Sequence, residues 1–144
     1  MSITNFNYPT PIRFGAGAVN ELPEYLHQHR LFRPLIVTDP IIVELPFFEQ
    51  ILNDLEATGI KVSVYNQLHK NPIKSDVLGG VKAYHVFDCD SIIGLGGGVA
   101  MDVARAIALK AHHPLDLFEY EDGIDGWKHV TEKIPPFITI PTTA

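Results

Sequence analysis

Three consecutive glycines, Gly96, Gly97 and Gly98, follow an apolar run that begins at Ser91, and a helix-like pattern starts directly after them. Glycines at a strand-to-helix turn let the backbone approach a ligand that a Cβ atom would keep away. The helix that follows presents unpaired N–H groups and the positive end of its dipole, which together favour a phosphate. The spacing therefore predicts a phosphate or pyrophosphate site at this turn.

The glycine segment matches neither of two common phosphate-binding motifs completely. Gly94 and Gly96 fit the first two glycines of the dinucleotide fingerprint G-x-G-x-x-G, but Val99 stands at the third. No Lys-Ser or Lys-Thr pair follows the glycines, which excludes a P-loop. From the residues alone two interpretations stay open: a phosphate site, or a structural turn that packs a helix tightly.

Two acidic residues are candidates for contacts with a nucleotide. Asp39 closes the apolar run Leu35–Thr38, where a carboxylate can accept hydrogen bonds from a ribose diol and repel a 2′-phosphate. The alternative is that Asp39-Pro40 simply forms a turn. Asp102 lies near the start of the helix after the glycines, so it either complements the helix dipole or contacts a ribose or a substrate edge.

The histidine and serine patterns indicate no further chemistry. His27 and His29, and the pair His112 and His113, lack third and fourth ligands at the spacing of a zinc site, which favours surface or loop histidines. No G-x-S-x-G segment is present, so no serine has the context of a nucleophile.

These candidates need a scaffold, and strand-like and helix-like segments alternate along the chain. An amphipathic pattern predicts a helix from Phe47 to Leu55, and a capping Ser75 predicts another to about Asp88. A third predicted helix runs from Val99 to about Ala111. The predicted strands are Ile12–Phe14, Leu35–Thr38, Ile60–Tyr65, Ser91–Leu95 and Phe137–Ile140, and residues 115–136 are expected to form an acidic excursion loop. The alternation predicts an α/β fold, a Rossmann-like parallel sheet with helices on both faces.

Composition limits the partners. The chain has 144 residues, 46% of them hydrophobic, and a net charge of −6, which is typical of one globular domain and not of a nucleic-acid binder. No apolar run approaches the roughly 18 residues of a membrane span. The single Cys89 excludes an internal disulfide framework, and its acidic neighbours disfavour a thiolate. A cytoplasmic location without membrane attachment is the expectation.

Together these segments resemble the iron-containing (metal-dependent, group III) alcohol dehydrogenase family. The segments that carry the resemblance are Ile12–Gly17, Leu35–Asp39, Asn71-Pro72, Gly96–Arg105 and Ile140–Ala144. The segment Gly96–Arg105 looks like the family's Gly-Gly-Gly-Ser-x-x-Asp-x-Ala-Lys block. The segment Ile140–Ala144 looks like the start of its Pro-Thr-Thr-Ala-Gly-Thr-Gly-Ser-Glu motif.

The resemblance implies that residues 1–144 form an NAD(P)-binding α/β domain. It also implies a C-terminal helical domain outside this chain that holds Fe²⁺ or Zn²⁺ on one Asp and three His. The full enzyme would transfer a hydride between an alcohol and the nicotinamide, forming an aldehyde or ketone, and is expected to be a homo-oligomer. Residues 1–144 alone should not turn over an alcohol.

The same resemblance assigns roles to individual residues. The implied cofactor-binding residues are Asp39 for the adenosine ribose, Asn71 near the nicotinamide half, Gly96, Gly97, Gly98 and Val99 around the pyrophosphate, Asp102 close to the reaction centre, and Thr142 and Thr143 on the nucleotide. Because Asp39 would meet a 2′-phosphate with a like charge, NAD is expected rather than NADP.

Two residues depart from the family's pattern, and other interpretations stay open. Val99 replaces a serine and so removes one hydroxyl donor to the pyrophosphate, a loss of roughly 0.5–1.5 kcal/mol. Arg105 replaces a lysine, which keeps the charge and changes its geometry. Glycerol dehydrogenase, glycerol-1-phosphate dehydrogenase and dehydroquinate synthase have a similar nucleotide domain. A non-catalytic nucleotide-binding module is the alternative from another class.

Overall fold

A computed structural model of the chain describes residues 10–143 and contains a parallel four-stranded sheet in the order β2-β1-β3-β4. The strands are β1 Pro34–Val37, β2 Ser63–Tyr65, β3 Ser91–Gly96 and β4 Phe137–Pro141. The helices are α1 Leu22–Gln28, α2 Pro46–Ala57, α3 Lys74–Val86 and α4 Gly98–Lys110. The predicted α/β class is confirmed, and parallel pairing joins β1 to both β2 and β3.

Two apolar cores lie on opposite faces of the sheet, because successive residues of a strand point to opposite sides. Ile36 and Ile93 belong to the core that α1 and α2 cover. Leu35 and Ile92 belong to the core that α3 and α4 cover. The central strands are therefore buried on both faces, which explains their continuous apolar sequence.

The strand order creates a cleft at one edge of the sheet. From β1 the chain crosses through α2 to β2 on one side, whereas from β3 it crosses through α4 to β4 on the other. The connections after β1 and β3 therefore diverge although the two strands are neighbours. Ligands of open α/β sheets bind at this type of switch point, outside the carboxyl ends of the strands.

Two adjacent glycines inside α3 bring the helix close to its neighbours. A Cβ atom on Gly79 would lie 2.4 Å from the hydroxyl oxygen of Tyr65, and one on Gly80 would lie 2.1 Å from Cδ1 of Ile107. The helix is unbroken through both residues. The glycines therefore allow close packing on β2 and α4, at a cost of up to about 1 kcal/mol each in helix propensity.

Several expectations about local structure were wrong. Residues 11–14 form no strand within the described part of the chain, and Phe14 is fully exposed, since no described strand lies beside them to pair with. Helix α1 was not predicted, because Pro23 and a single turn of apolar residues give a weak pattern. Strand β2 is three residues long rather than six. Ser75 does not cap α3, which begins one residue earlier, at Lys74.

His113 lies in the loop after α4, in agreement with the expected surface or loop histidines, but it is buried, being only 1% exposed. Its Nδ1 lies 2.6 Å from the carbonyl oxygen of Leu109, and the amide of Glu132 donates to Nε2 at 3.0 Å. Because Nε2 accepts, the ring is neutral and Nδ1 is the donor. His113 thus fixes the end of the excursion loop, which contains three short 3-10 helices, Leu117–Tyr120, Asp122–Ile124 and Gly126–His129.

None of the helices within residues 10–143 combines the length and the apolar character that crossing a membrane requires.

Candidate functional site

The triple glycine forms the turn between β3 and α4, as the sequence predicted. Gly96 has φ +144°, a conformation that residues with a side chain rarely adopt, and a Cβ there would lie 3.0 Å from Cβ of Ala100. Gly97 precedes α4 and contributes no side chain to cap it. A Cβ on Gly98 would meet no described atom within 4 Å. Helix α4 therefore begins at an exposed glycine and has no side chain that caps its first amides, which is the arrangement of an anion site.

Asp39 reaches the same turn from the end of β1. The amides of Ile41 and Ile42 donate to its Oδ1 at 2.9 and 3.1 Å. Its Oδ2 lies 3.4 Å from the position that a Cβ on Gly96 would occupy. The turn-forming interpretation of Asp39 is therefore correct for one oxygen, while the second oxygen faces the glycine turn and is placed to accept from a ligand.

The end of β4 lies beside the glycines as well. The amide of Thr142 donates to the carbonyl oxygen of Gly96 at 2.9 Å. The hydroxyl oxygen of Thr143 lies 3.5 Å from the position that a Cβ on Gly97 would take. The chain thus brings Asp39, the glycines and the two threonines together, although they are far apart in sequence. Val99, next in α4, is partly buried and packs against the core.

Thr38 was missed by the sequence reasoning. It is completely buried at the carboxyl end of β1, and within residues 10–143 its Oγ1 is a buried side-chain atom without a hydrogen-bond partner. The signal in the sequence was a hydroxyl residue that ends an otherwise apolar strand directly before Asp39.

Asn71 lies in the exposed loop between β2 and α3, away from the contacts described for the glycine turn. Asp76, buried in the first turn of α3, organises this loop. The amides of His69 and Ile73 donate to its Oδ2 at 3.2 Å, and Nδ1 of His69 lies 2.6 Å from its Oδ1. Burial alone would raise the pKa of Asp76, but the hydrogen bonds from His69 and Ile73 outweigh it and lower the pKa. Asp76 therefore acts as a charged anchor for the Asn71-Pro72 segment.

Asp102 lies beside a groove of about 250 Å³ between the first halves of α3 and α4. It is the fifth residue of α4, not part of its first turn as expected, so the helix dipole does not account for it. Its Oδ1 accepts from Arg105 at 3.0 Å, and both side chains are exposed. The residues that line the groove include Pro72, Lys74, Asp102, Val103 and Phe118.

Lys74 closes this groove on the side of the excursion loop. It pairs with Asp116, and its Nζ lies 5.5 Å from the ring centre of Phe118. The hydrogen bond from Lys74 lowers the pKa of Asp116. The groove therefore has apolar walls, and the charged side chains that line it are Asp102 and Lys74.

Cys89 lies away from this site, beside Ser91 at the amino end of β3. Burial raises the pKa of its thiol, and the charges of Asp90 and Asp88 act in the same direction. This agrees with the expectation that the thiolate is disfavoured.

The family of this chain follows from a comparison of its sequence with models of known protein families. The family model described as iron-containing alcohol dehydrogenase matches residues 9–144. The chain belongs to the iron-containing alcohol dehydrogenase family.

Individual members of this family are similar along nearly the whole chain. A choline dehydrogenase of Bacillus subtilis (strain 168) is 35% identical over 139 residues, which cover 96% of this chain and 34% of that protein. An NAD-dependent methanol dehydrogenase of Bacillus methanolicus is 30% identical over 142 residues, 99% of this chain and 36% of that protein. The chain thus spans about a third of the length of these relatives.

A solved structure shows the same fold. The NADH-dependent butanol dehydrogenase A of Thermotoga maritima superposes with a TM-score of 0.86 at 23% identity. The superposition covers 100% of this chain and 35% of that one.

The residues described here do not fit the metal in the family's name. Within residues 10–143 no group of three or more His, Cys, Asp or Glu side chains lies close enough to hold a metal ion. The described residues do fit a dinucleotide cofactor. The unpartnered hydroxyl of Thr38, the uncapped N-terminus of α4 and the glycine turn without side chains lie together at the carboxyl ends of the strands.

Proposed function

We propose that this chain binds the dinucleotide of an NAD(P)-dependent alcohol dehydrogenase and serves as the nucleotide-binding domain of that enzyme. The observation that carries the proposal is the open glycine turn, where α4 begins without a capping side chain at the exposed Gly98, near Oδ2 of Asp39. Main-chain amides at such a turn bind a diphosphate without any side-chain donor. Val99, which stands where the family's pattern has a serine, therefore does not prevent binding of the diphosphate.

The geometry supports a direction for the bound dinucleotide. The diphosphate lies against the amides of Gly97, Gly98 and Val99. The adenosine ribose lies on the β1 side, where Oδ2 of Asp39 accepts from its hydroxyls. Thr142 and Thr143 border the turn on the β4 side.

The groove between α3 and α4 then receives the nicotinamide half. Asp102 lines this groove, and so does Pro72, which follows Asn71 in the chain; both observations support this placement. The nicotinamide supplies the hydride acceptor of the reaction. The residues of this chain bind it and orient it.

We further propose an alcohol and its aldehyde or ketone as the substrate pair, in a homo-oligomeric full-length protein. Relatives whose names give choline and methanol as substrates support this class and select no member of it. The metal, Fe²⁺ or Zn²⁺, would be held by a separate helical domain, since the relatives are about three times as long as this chain. Residues 1–144 alone would bind the cofactor without oxidising an alcohol.

Calorimetric titration of Asp39→Asn with NAD and with NADP tests the proposal. Asparagine keeps an oxygen that can accept from Ile41 and Ile42, so the turn survives, while the charge that would oppose a 2′-phosphate is lost. We expect the wild-type chain to bind NAD more tightly than NADP, and the variant to reduce this preference roughly tenfold or more.

The control is Glu56→Gln, which removes one charge near the C-terminal end of α2, at the opposite edge of the sheet. It should leave both affinities unchanged. Failure of the wild-type chain to bind either dinucleotide would remove the proposal, and an unchanged preference in Asp39→Asn would remove Asp39 from its role.

A further inference from the structure

The hydroxyl of Thr38 is buried in a way that the fold itself does not use. Thr38 is 0% exposed, and its amide donates to the carbonyl oxygen of Tyr65 at 3.0 Å, which extends the pairing of β1 with β2. Its amide is thus satisfied, whereas Oγ1 has no hydrogen-bond partner among residues 10–143. Buried polar side chains are normally paired, because a hydroxyl without a partner loses its contacts with water and gains nothing in exchange.

Valine would fill the same volume without this cost. The residues before Thr38 in β1 are apolar, and the strand is buried along its length. The fold alone therefore favours valine at this position. A threonine here indicates that the hydroxyl has a use outside the fold.

The position of the hydroxyl indicates what that use is. The site where a Cβ on Gly96 would stand lies 3.9 Å from Oγ1 of Thr38 and 3.4 Å from Oδ2 of Asp39. Both oxygens therefore converge on the side-chain-free face of Gly96, where β1 and β3 part. The uncapped N-terminus of α4 begins two residues later.

We propose that Thr38 is a cofactor-binding residue whose hydroxyl bonds to an oxygen of the ADP half of the dinucleotide. This inference rests on the proposed function. The two neighbouring side chains complement each other, because the carboxylate of Asp39 only accepts hydrogen bonds whereas the hydroxyl of Thr38 also donates. A phosphate oxygen and a ribose oxygen present the same acceptor chemistry. Thr38 is 0% exposed in the free protein, so the proposal requires that the atoms covering Oγ1 move on binding.

The test compares Thr38→Val with Thr38→Ser in the 144-residue chain. Calorimetry with NAD, ADP-ribose and nicotinamide mononucleotide measures affinity, and thermal unfolding of the free protein measures stability. We expect Thr38→Val to weaken the binding of NAD and of ADP-ribose equally, by roughly 2- to 13-fold for a ribose oxygen and by roughly 13-fold or more for a charged phosphate oxygen. The affinity for nicotinamide mononucleotide should not change, and the unfolding midpoint of the variant should equal that of the wild type or exceed it. Thr38→Ser keeps the hydroxyl and should retain most of the affinity.

Thr139→Val, at an exposed position of β4, is the matched control and should change the affinity for neither NAD nor ADP-ribose. Unaltered NAD affinity in Thr38→Val, with wild-type binding intact, would overturn the role of Thr38 and leave the proposed function standing. A lower unfolding midpoint in Thr38→Val would also overturn it, because the hydroxyl would then have a partner in the free protein. Absence of NAD binding by the wild type would instead refute the proposed function.

Discussion

Replacing Gly98 by alanine separates the binding role of the glycine turn from its structural role. Gly98 is the first residue of α4, its φ is not in the left-handed region, and the added Cβ would meet no described atom within 4 Å. Alanine is the better helix former, by up to about 1 kcal/mol in a helix interior. Gly98→Ala should therefore fold as well as the wild type, or slightly better.

The same methyl group would add bulk at the first residue of α4, beside the amides that we propose bind the diphosphate. If the diphosphate lies there, it must move away from at least one amide. A hydrogen bond to a charged group contributes about 1.5–3 kcal/mol. Since about 1.4 kcal/mol corresponds to a factor of ten, the loss of one bond weakens NAD binding about 10- to 100-fold.

The assay pairs calorimetric titration of NAD with urea unfolding of the free protein. Gly123→Ala is the matched control, because its Cβ would touch only the side chain of Glu121, in the excursion loop. Stability and affinity should change in opposite directions in Gly98→Ala and not at all in the control. Wild-type NAD affinity in a correctly folded Gly98→Ala would refute the reasoning that these amides bind the diphosphate.

Two further predictions concern the elements that support the site. Asp76→Ala should lower the free energy of unfolding by about 2 kcal/mol, because the amides of His69 and Ile73 lose their acceptor. Since the folded pKa of Asp76 is lowered, its stabilisation is complete above its usual pKa of 3.8 and is lost as the pH falls through the folded value. Unfolding midpoints measured from pH 5 downwards should therefore fall more steeply for the wild type than for Asp76→Asn, and parallel curves would contradict this. Gly80→Ala should destabilise by about 1–3 kcal/mol in urea despite its better helix propensity, because its Cβ would overlap the end of Ile107. Adding Ile107→Val should recover part of the loss, and additive effects of the two substitutions would show that they do not interact.

The strongly patterned parts of the fold were predictable from the sequence. Continuous apolar runs identified β1 and β3, and helical spacing identified α2 and α4, because burial of these segments determines their residue types. Segments with a weak hydrophobic pattern were not predicted correctly, because contacts with residues distant in the sequence determine their structure. The close packing of α3 on Tyr65 through Gly79, for example, became clear only once the neighbouring elements were placed.

The candidate site was predictable to the extent that its residues stand in recognisable motifs. Asp39, the glycines and the two threonines were identified in sequence, and the fold brings them together. Thr38 and Asp76 were not identified, because their importance depends on burial and on hydrogen bonds rather than on residue type. A threonine that ends a strand is ordinary in sequence, and only the absence of a partner for its hydroxyl within the described residues distinguishes it.

A crystal structure of the chain with NAD bound tests most directly whether the glycine turn holds the diphosphate. We predict that diphosphate oxygens lie within hydrogen-bond distance of the amides of Gly97 and Gly98, with the adenosine ribose on Asp39. A well-ordered dinucleotide bound elsewhere on the molecule, with the amides at the start of α4 still facing solvent, would contradict it.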